Sequence, residues 1–138
     1  MGSKDMRSGS EVVTVDVTEA KNLLEAAGHV YLDVRTEEEF GSGHCLAPKD
    51  KIFNVPYMFD TPHGREKNPD FLNQVSSLLN QTDDILVGCR SGVRSLDATT
   101  DLMAAGYKKA SNVGGGYLAW VNKMLPVHVE QPQPADGN

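Results

Sequence analysis

The chain is poor in several things, and each shortage excludes a class of protein. Its 138 residues hold 2 cysteines, Cys45 and Cys89, with no C-x-x-C and no grouping of Cys with His. That pattern argues against a disulfide framework or a zinc site and leaves two thiols that are either reactive or simply buried. No apolar run approaches the ~18 residues that cross a bilayer, and the opening MGSKDMRSGSE lacks the apolar stretch of a secretion signal. Basic residues are in deficit, since 13 Lys+Arg against 19 Asp+Glu give a formal charge of −6, and they form no run. Nucleic acid and membrane are therefore not expected partners. The expectation is a soluble protein of the cytoplasm.

What is present is enough for one domain. With 39% hydrophobic and 23% charged residues the composition is globular, and a compact fold of this size buries roughly 68–70% of its extended chain's surface, so a core forms without staples. Residues 1–10 read as a flexible arm, 11–127 as the folded unit, and 128–138, rich in Pro and polar groups, as a disordered tail.

Within the folded unit, short apolar runs alternate with helical patterns. Strands are expected at Val12–Val15, Val30–Val34, Ile52–Val55, Asp84–Gly88 and Ala110–Val113. Thr18 reads as the cap of a first helix, whose inner face is Ala20, Leu23, Leu24 and Ala27. Thr36 and Glu39 make a T-x-x-E capping box, and the acidic run Glu37–Glu39 reads as a solvated first turn. Asn68 with Pro69 opens a third helix through Phe71, Leu72, Val75, Leu78 and Leu79. A fourth helix is expected over Arg94–Ala105, and a last amphipathic turn carries Tyr117, Trp120 and Val121. The alternation predicts an α/β domain: a central, mostly parallel five-stranded sheet flanked by helices on both faces, with its reactive site at the carboxyl ends of the strands.

The stretch Ile85–Thr99, ILVGCRSGVRSLDAT, carries the chemistry. A buried strand delivers Cys89 at its carboxyl end, Cys89 to Arg94 forms a tight loop, and a helix begins as the loop closes. Gly92 can take the positive φ that turns successive amide N–H groups inward as a nest. The helix start adds unpaired N–H donors, Arg90 and Arg94 add positive charge, and Ser91 and Ser95 add hydroxyls. Together with the amide of Val93 these groups favour an anion, as expected around a reactive thiol.

These motifs resemble those of the single-domain rhodaneses, a sulfurtransferase family. Tyr31-Leu32-Asp33-Val34-Arg35 with Glu38-Glu39-Phe40 and Gly43-His44 is similar to the first family signature. Asn54-Val55-Pro56, the loop Cys89–Ser95 and Gly114-Gly115-Gly116-Tyr117-Leu118-Ala119-Trp120 follow in the family's order, with a late proline at Pro126. The insertion Met58–Asn68 resembles plant single-domain members, which adds the plastid as a compartment if a transit peptide has been removed. The resemblance implies a rhodanese-like fold and no cofactor or metal. It also implies a persulfide on Cys89 held by the backbone N–H groups of residues 90–94, with Arg94 positioning an anionic sulfur donor and Arg90 steering it. Thiosulfate or a persulfide would be the donor. Cyanide in assays, or a thiol such as glutathione, thioredoxin or glutaredoxin, would be the acceptor, and the chain would act as a monomer.

Loop length separates neighbouring chemistries. Related phosphatases hold C-x5-R around a tetrahedral oxyanion, whereas Cys89 to Arg94 is C-x4-R, a smaller cradle. Thiol-dependent arsenate reduction is the alternative activity, and a non-catalytic binding module the third reading. Asp33 and Arg35 read equally as a pair bracing the loop and as a structural ion pair. Cys45, after His44, is read as inert, with a resolving thiol as its alternative; position 51 is Lys, so no second C-x5-R loop follows it. His29, His63 and His128 lack ligand spacing, Gly114–Gly116 lacks the order of a phosphate loop, and Tyr117 and Trp120 read as core or pocket wall.

Overall fold

The computed structural model describes residues 11–129; the arm expected at 1–10 and the tail beyond 129 lie outside the described residues. In chain order the elements are β1 (Thr14–Val15), α1 (Val17–Ala26), β2 (Val30–Asp33), α2 (Glu37–Ser42), β3 (His44–Cys45), β4 (Ile52–Asn54), β5 (Met58–Thr61) and β6 (Gly64–Lys67). Then come α3 (Phe71–Leu78), β7 (Ile85–Gly88), α4 (Val93–Ala104), β8 (Ala110–Val113), α5 (Gly116–Asn122) and β9 (Val127–His128).

Five strands form one sheet in the order β1-β8-β7-β2-β4, and every pairing in it is parallel. VYLD in β2 and ILVG in β7 are buried at all positions, as central strands covered on both faces must be. Successive side chains point to opposite faces, so the two strands feed two cores. Leu32, Ile85 and Val87 pack with Phe71 and Val75 of α3 and with Ala98 and Leu102 of α4. Tyr31 and Leu86 pack with Val17, Ala20 and Leu24 of α1 and with Trp120 of α5. Cys89 belongs to the first core and Cys45 to the second.

Several local expectations are corrected. The first helix is capped by Asp16, whose Oδ1 accepts from the Glu19 amide at 2.8 Å, not by Thr18. Starting there puts Val17 on the buried face beside Ala20 and Leu24. Asn68 lies before α3 rather than capping it. Its Oδ1 accepts from the Asp70 amide, while its Nδ2 donates to the Pro56 carbonyl and to Gln74, which pins the connection to the preceding loop. Phe71, Val75 and Leu79 hold α3 to the core at i, i+4 spacing, whereas Leu72 and Leu78 are exposed.

The insertion Met58–Asn68, for which no strand is expected from the sequence, forms a hairpin, β5 pairing with β6 across Pro62–His63. Its residues show no apolar alternation because the hairpin lies largely in solvent, tied down by Tyr57 and Lys67, which both reach Asp101. At the other end, β9 pairs antiparallel with β3 through His44 and His128, one residue past the expected boundary of the folded unit. The Pro126 carbonyl secures that end by accepting from Trp120 Nε1 at 2.6 Å and from the Leu46 amide.

Candidate active site

The strand β7 ends at Gly88, beneath which lies the Tyr31 ring; a Cβ at Gly88 would collide with the Tyr31 hydroxyl. Cys89 follows at the carboxyl edge of the sheet and is 1% exposed, the floor of the loop. Gly92 stands at φ 101°, a left-handed conformation, and its amide donates to Cys89 Sγ at 3.1 Å. The Ser95 amide donates to the same sulfur at 3.3 Å, one residue beyond the expected 90–94 set. Two N–H groups, from the turn and from the first turn of α4, therefore converge on one sulfur.

The rest of the loop is held from outside by contacts that no local pattern announces. The Tyr117 amide donates to the Cys89 carbonyl at 2.8 Å, and the Leu118 amide to the Arg90 carbonyl at 3.0 Å. Gly116 (φ 58°) makes this approach possible, because a Cβ there would strike the Cys89 and Arg90 carbonyls. The Gly114–Gly116 run is thus the brace of the Cys89 loop. Ser95 Oγ does not face the sulfur; it donates to Asn112 Oδ1 of β8 at 2.6 Å and fixes α4 against the sheet. Ser91 and Val93 are exposed at the rim.

The charges are distributed differently from the expectation. Both oxygens of Glu39 accept from the Arg94 guanidinium, at 2.8 and 3.1 Å, so Arg94 is not a free cation facing an incoming anion. Glu39 also completes the capping box, accepting from the Thr36 amide at 3.0 Å. Partial burial works to raise the Glu39 pKa, but the Arg94 and Thr36 hydrogen bonds outweigh it and bring the carboxyl down to about 2. Glu37 and Glu38 are exposed as expected, but Glu39 is not simply a solvated residue of that turn. The sequence signal for Glu39 was present in the capping box. What it could not supply was the position of α4 beside it.

Asp33 and Arg35 form a buried pair with contacts of 2.8–3.1 Å. Arg35 also donates to the Gly43 carbonyl at 2.7 Å and lies 4.4 Å from the centre of the Tyr117 ring, while Asn54 Nδ2 donates to the carbonyls of Asp33 and Arg35. Arg35, Glu39, Arg90, Tyr117 and Leu118 border a cleft of about 310 Å³ beside the loop. Arg90 is exposed there, and among the described residues it has no carboxylate partner. Cys45 lies on the other face of the sheet against Tyr31, and burial pushes its thiol up to about 12. A buried thiol across the sheet from Cys89 is badly placed to resolve it. Among the described residues no three Cys, His, Asp or Glu side chains gather as a metal site.

Comparison with known proteins gives a consistent picture. Residues 16–123 match the family described as Rhodanese-like domain. The chain is 64% identical over 125 residues to thiosulfate sulfurtransferase 18 of Arabidopsis thaliana, covering 91% of this chain and 90% of that one. It is 47% identical over 112 residues to the mitochondrial protein HIGH ARSENIC CONTENT 1 of the same plant, covering 81% of this chain and 63% of the relative. A rhodanese-like domain protein from Staphylococcus aureus has the same fold, with a TM-score of 0.65 and 26% identity over 87% of this chain and 100% of the other.

Proposed function

The chain belongs to the rhodanese-like domain family, and on that premise we propose that it is a sulfurtransferase that uses thiosulfate as donor and Cys89 as the sulfur carrier. The observation that carries the reading is the convergence of the Gly92 and Ser95 amides on Cys89 Sγ. The Cys89 thiolate attacks the outer sulfur of thiosulfate, the S–S bond breaks, and sulfite leaves with the bonding pair. The product is Cys89–S–S⁻, whose charge the loop amides stabilise much as oxyanion-hole donors stabilise oxygen. An acceptor then attacks the outer sulfur; cyanide leaves as thiocyanate, a thiol as a persulfide, and the thiolate is restored. No oxidant enters either half-reaction.

Arg90, exposed and without a carboxylate partner among the described residues, draws the anionic donor to the cleft, while Ser91 and Val93 form its rim. Asp33, Arg35 and Ser95 hold the surrounding backbone. In this reading the chain acts as a monomer and passes sulfur to a small thiol or to thioredoxin or glutaredoxin. The cytoplasm, a reducing compartment, suits two free cysteines.

The test is mass spectrometry after thiosulfate treatment. One added sulfur on Cys89, discharged by cyanide as thiocyanate and absent in Cys89→Ser, is the expected result; turnover that survives Cys89→Ser would overturn the reading. The 47% identical relative named for arsenic content favours a second activity, thiol-dependent arsenate reduction. It predicts arsenite release with glutathione and glutaredoxin at rates that rival sulfur transfer. A Cys89 that neither takes sulfur nor reacts with iodoacetamide would mark a binding module instead.

A further inference from the structure

Arg94 occupies the first turn of α4, where the loop closes, and its planar guanidinium is filled by the two oxygens of Glu39. That fork is the group a tetrahedral oxyanion would otherwise engage with two of its own oxygens. The side chains are only 11% and 23% exposed, so solvent and salt do little to loosen them. Glu39 is fixed from its other side by the Thr36 amide and hydroxyl, at 3.0 and 3.2 Å. Arg35 is occupied in the same manner by Asp33. Of the three arginines around the loop, only Arg90 keeps its charge uncompensated among the described residues.

We propose that Glu39 sets the anion selectivity of the loop. By occupying Arg94 it denies phosphate, sulfate and arsenate a bidentate site, which ranks arsenate reduction below sulfur transfer, and it leaves the Gly92 and Ser95 amides to a single sulfur, the outer atom of thiosulfate or of the persulfide. Glu39 is a positioning residue in this scheme, acting through Arg94 without touching substrate. The proposal rests on the loop as the anion-binding site of the sulfurtransferase reading, but it concerns binding and needs no turnover.

The experiment is a titration of wild type, Glu39→Gln and the double variant Glu39→Gln/Arg94→Ala with inorganic phosphate and with arsenate, followed by the NMR shifts of the Gly92 and Ser95 amides. Gln is the other residue that serves the capping box, so this variant keeps the cap while losing the charge. Glu39→Gln is expected to bind either oxyanion about tenfold or more tightly than wild type, the scale of a charged hydrogen bond regained. The double variant is expected to return to wild-type affinity. A Glu39 that only caps α2 would leave binding unchanged, and one that merely repels anions by its own charge would tighten binding equally when Gln replaces it in an Arg94→Ala background. Equal affinity in wild type and Glu39→Gln, or a gain that survives Arg94→Ala, overturns the proposal. Formation of the Cys89 sulfur adduct in the same three proteins tests the sulfurtransferase reading separately.

Discussion

Cys45 and Cys89 are both 1% exposed, and their surroundings rather than their burial give them different chemistry. Cys89 faces two amide donors, whereas Cys45 lies in an apolar layer that pushes its thiol up to about 12 and keeps it protonated at neutral pH. Iodoacetamide at neutral pH should therefore label Cys89 in the native protein and leave Cys45 intact until denaturant is added, which peptide mapping will show. Cys45→Ser should retain sulfur transfer while lowering stability by about 0.5–2 kcal/mol in a urea melt, since a hydroxyl replaces a thiol in a mostly apolar layer where Tyr31 is a hydrogen-bond partner. Glu39 gives the acid-side counterpart. Its carboxyl titrates at about 2 when folded, against the ordinary ~4.3 when unfolded. A lowered folded pKa contributes stability that is complete above the unfolded value and is lost as the pH falls through the folded one. Glu39→Gln should therefore flatten the stability curve between about pH 4 and pH 2 and leave its shape near neutrality unchanged.

At the scale of elements, α5 matters less for its own stability than for what it does to the loop beside it. The Tyr117 and Leu118 amides of its first turn donate to the carbonyls of Cys89 and Arg90, and Gly116 is the residue that lets them approach. Gly116→Ala would add both a Cβ against those carbonyls and the strain of a side chain at φ 58°, together about 2–6 kcal/mol. Because the displaced atoms belong to the Cys89 loop, turnover should fall by more than the stability loss explains. Gly28 is the control, with φ 74° and nothing within 4 Å of an added Cβ. Gly28→Ala should cost stability alone, as thermal melts and steady-state rates on both variants will check. The contrast also marks what the sequence makes legible. Strand and helix alternation, the capping box at Thr36 and the positive φ of Gly92 are local features and read directly. The role of Gly116, the engagement of Arg94 and the Asn112 support of Ser95 depend on residues far along the chain, and no local pattern encodes them. The β5–β6 hairpin escaped for another reason: with most of its side chains in solvent, it carries no apolar periodicity to read.

At the scale of the whole molecule, the topology was legible because buried parallel strands advertise themselves as continuous apolar runs, and their carboxyl ends gather the loops that hold Cys89. The sign of the electrostatics at the site was harder to read, since a formal charge of −6 says nothing of where each charge is neutralised. With Arg35 and Arg94 each bound to a carboxylate, Arg90 is the one arginine of the loop that adds net positive field at the cleft among the described residues. An anionic donor approaching from solvent thus meets two opposing fields, a diffuse repulsion from the acidic chain and a local attraction from Arg90. Within about 10 Å, the screening length at ~0.1 M salt, the local charge dominates encounter. In wild type, kcat/KM for thiosulfate should therefore fall as salt is added, because salt weakens the attraction that limits capture. In Arg90→Gln only the repulsion remains, so kcat/KM should start lower and rise with salt. A reversal of slope between the two proteins, measured with sodium chloride from low to physiological ionic strength, would assign capture to Arg90. Parallel slopes would mean that the field at the cleft is set elsewhere.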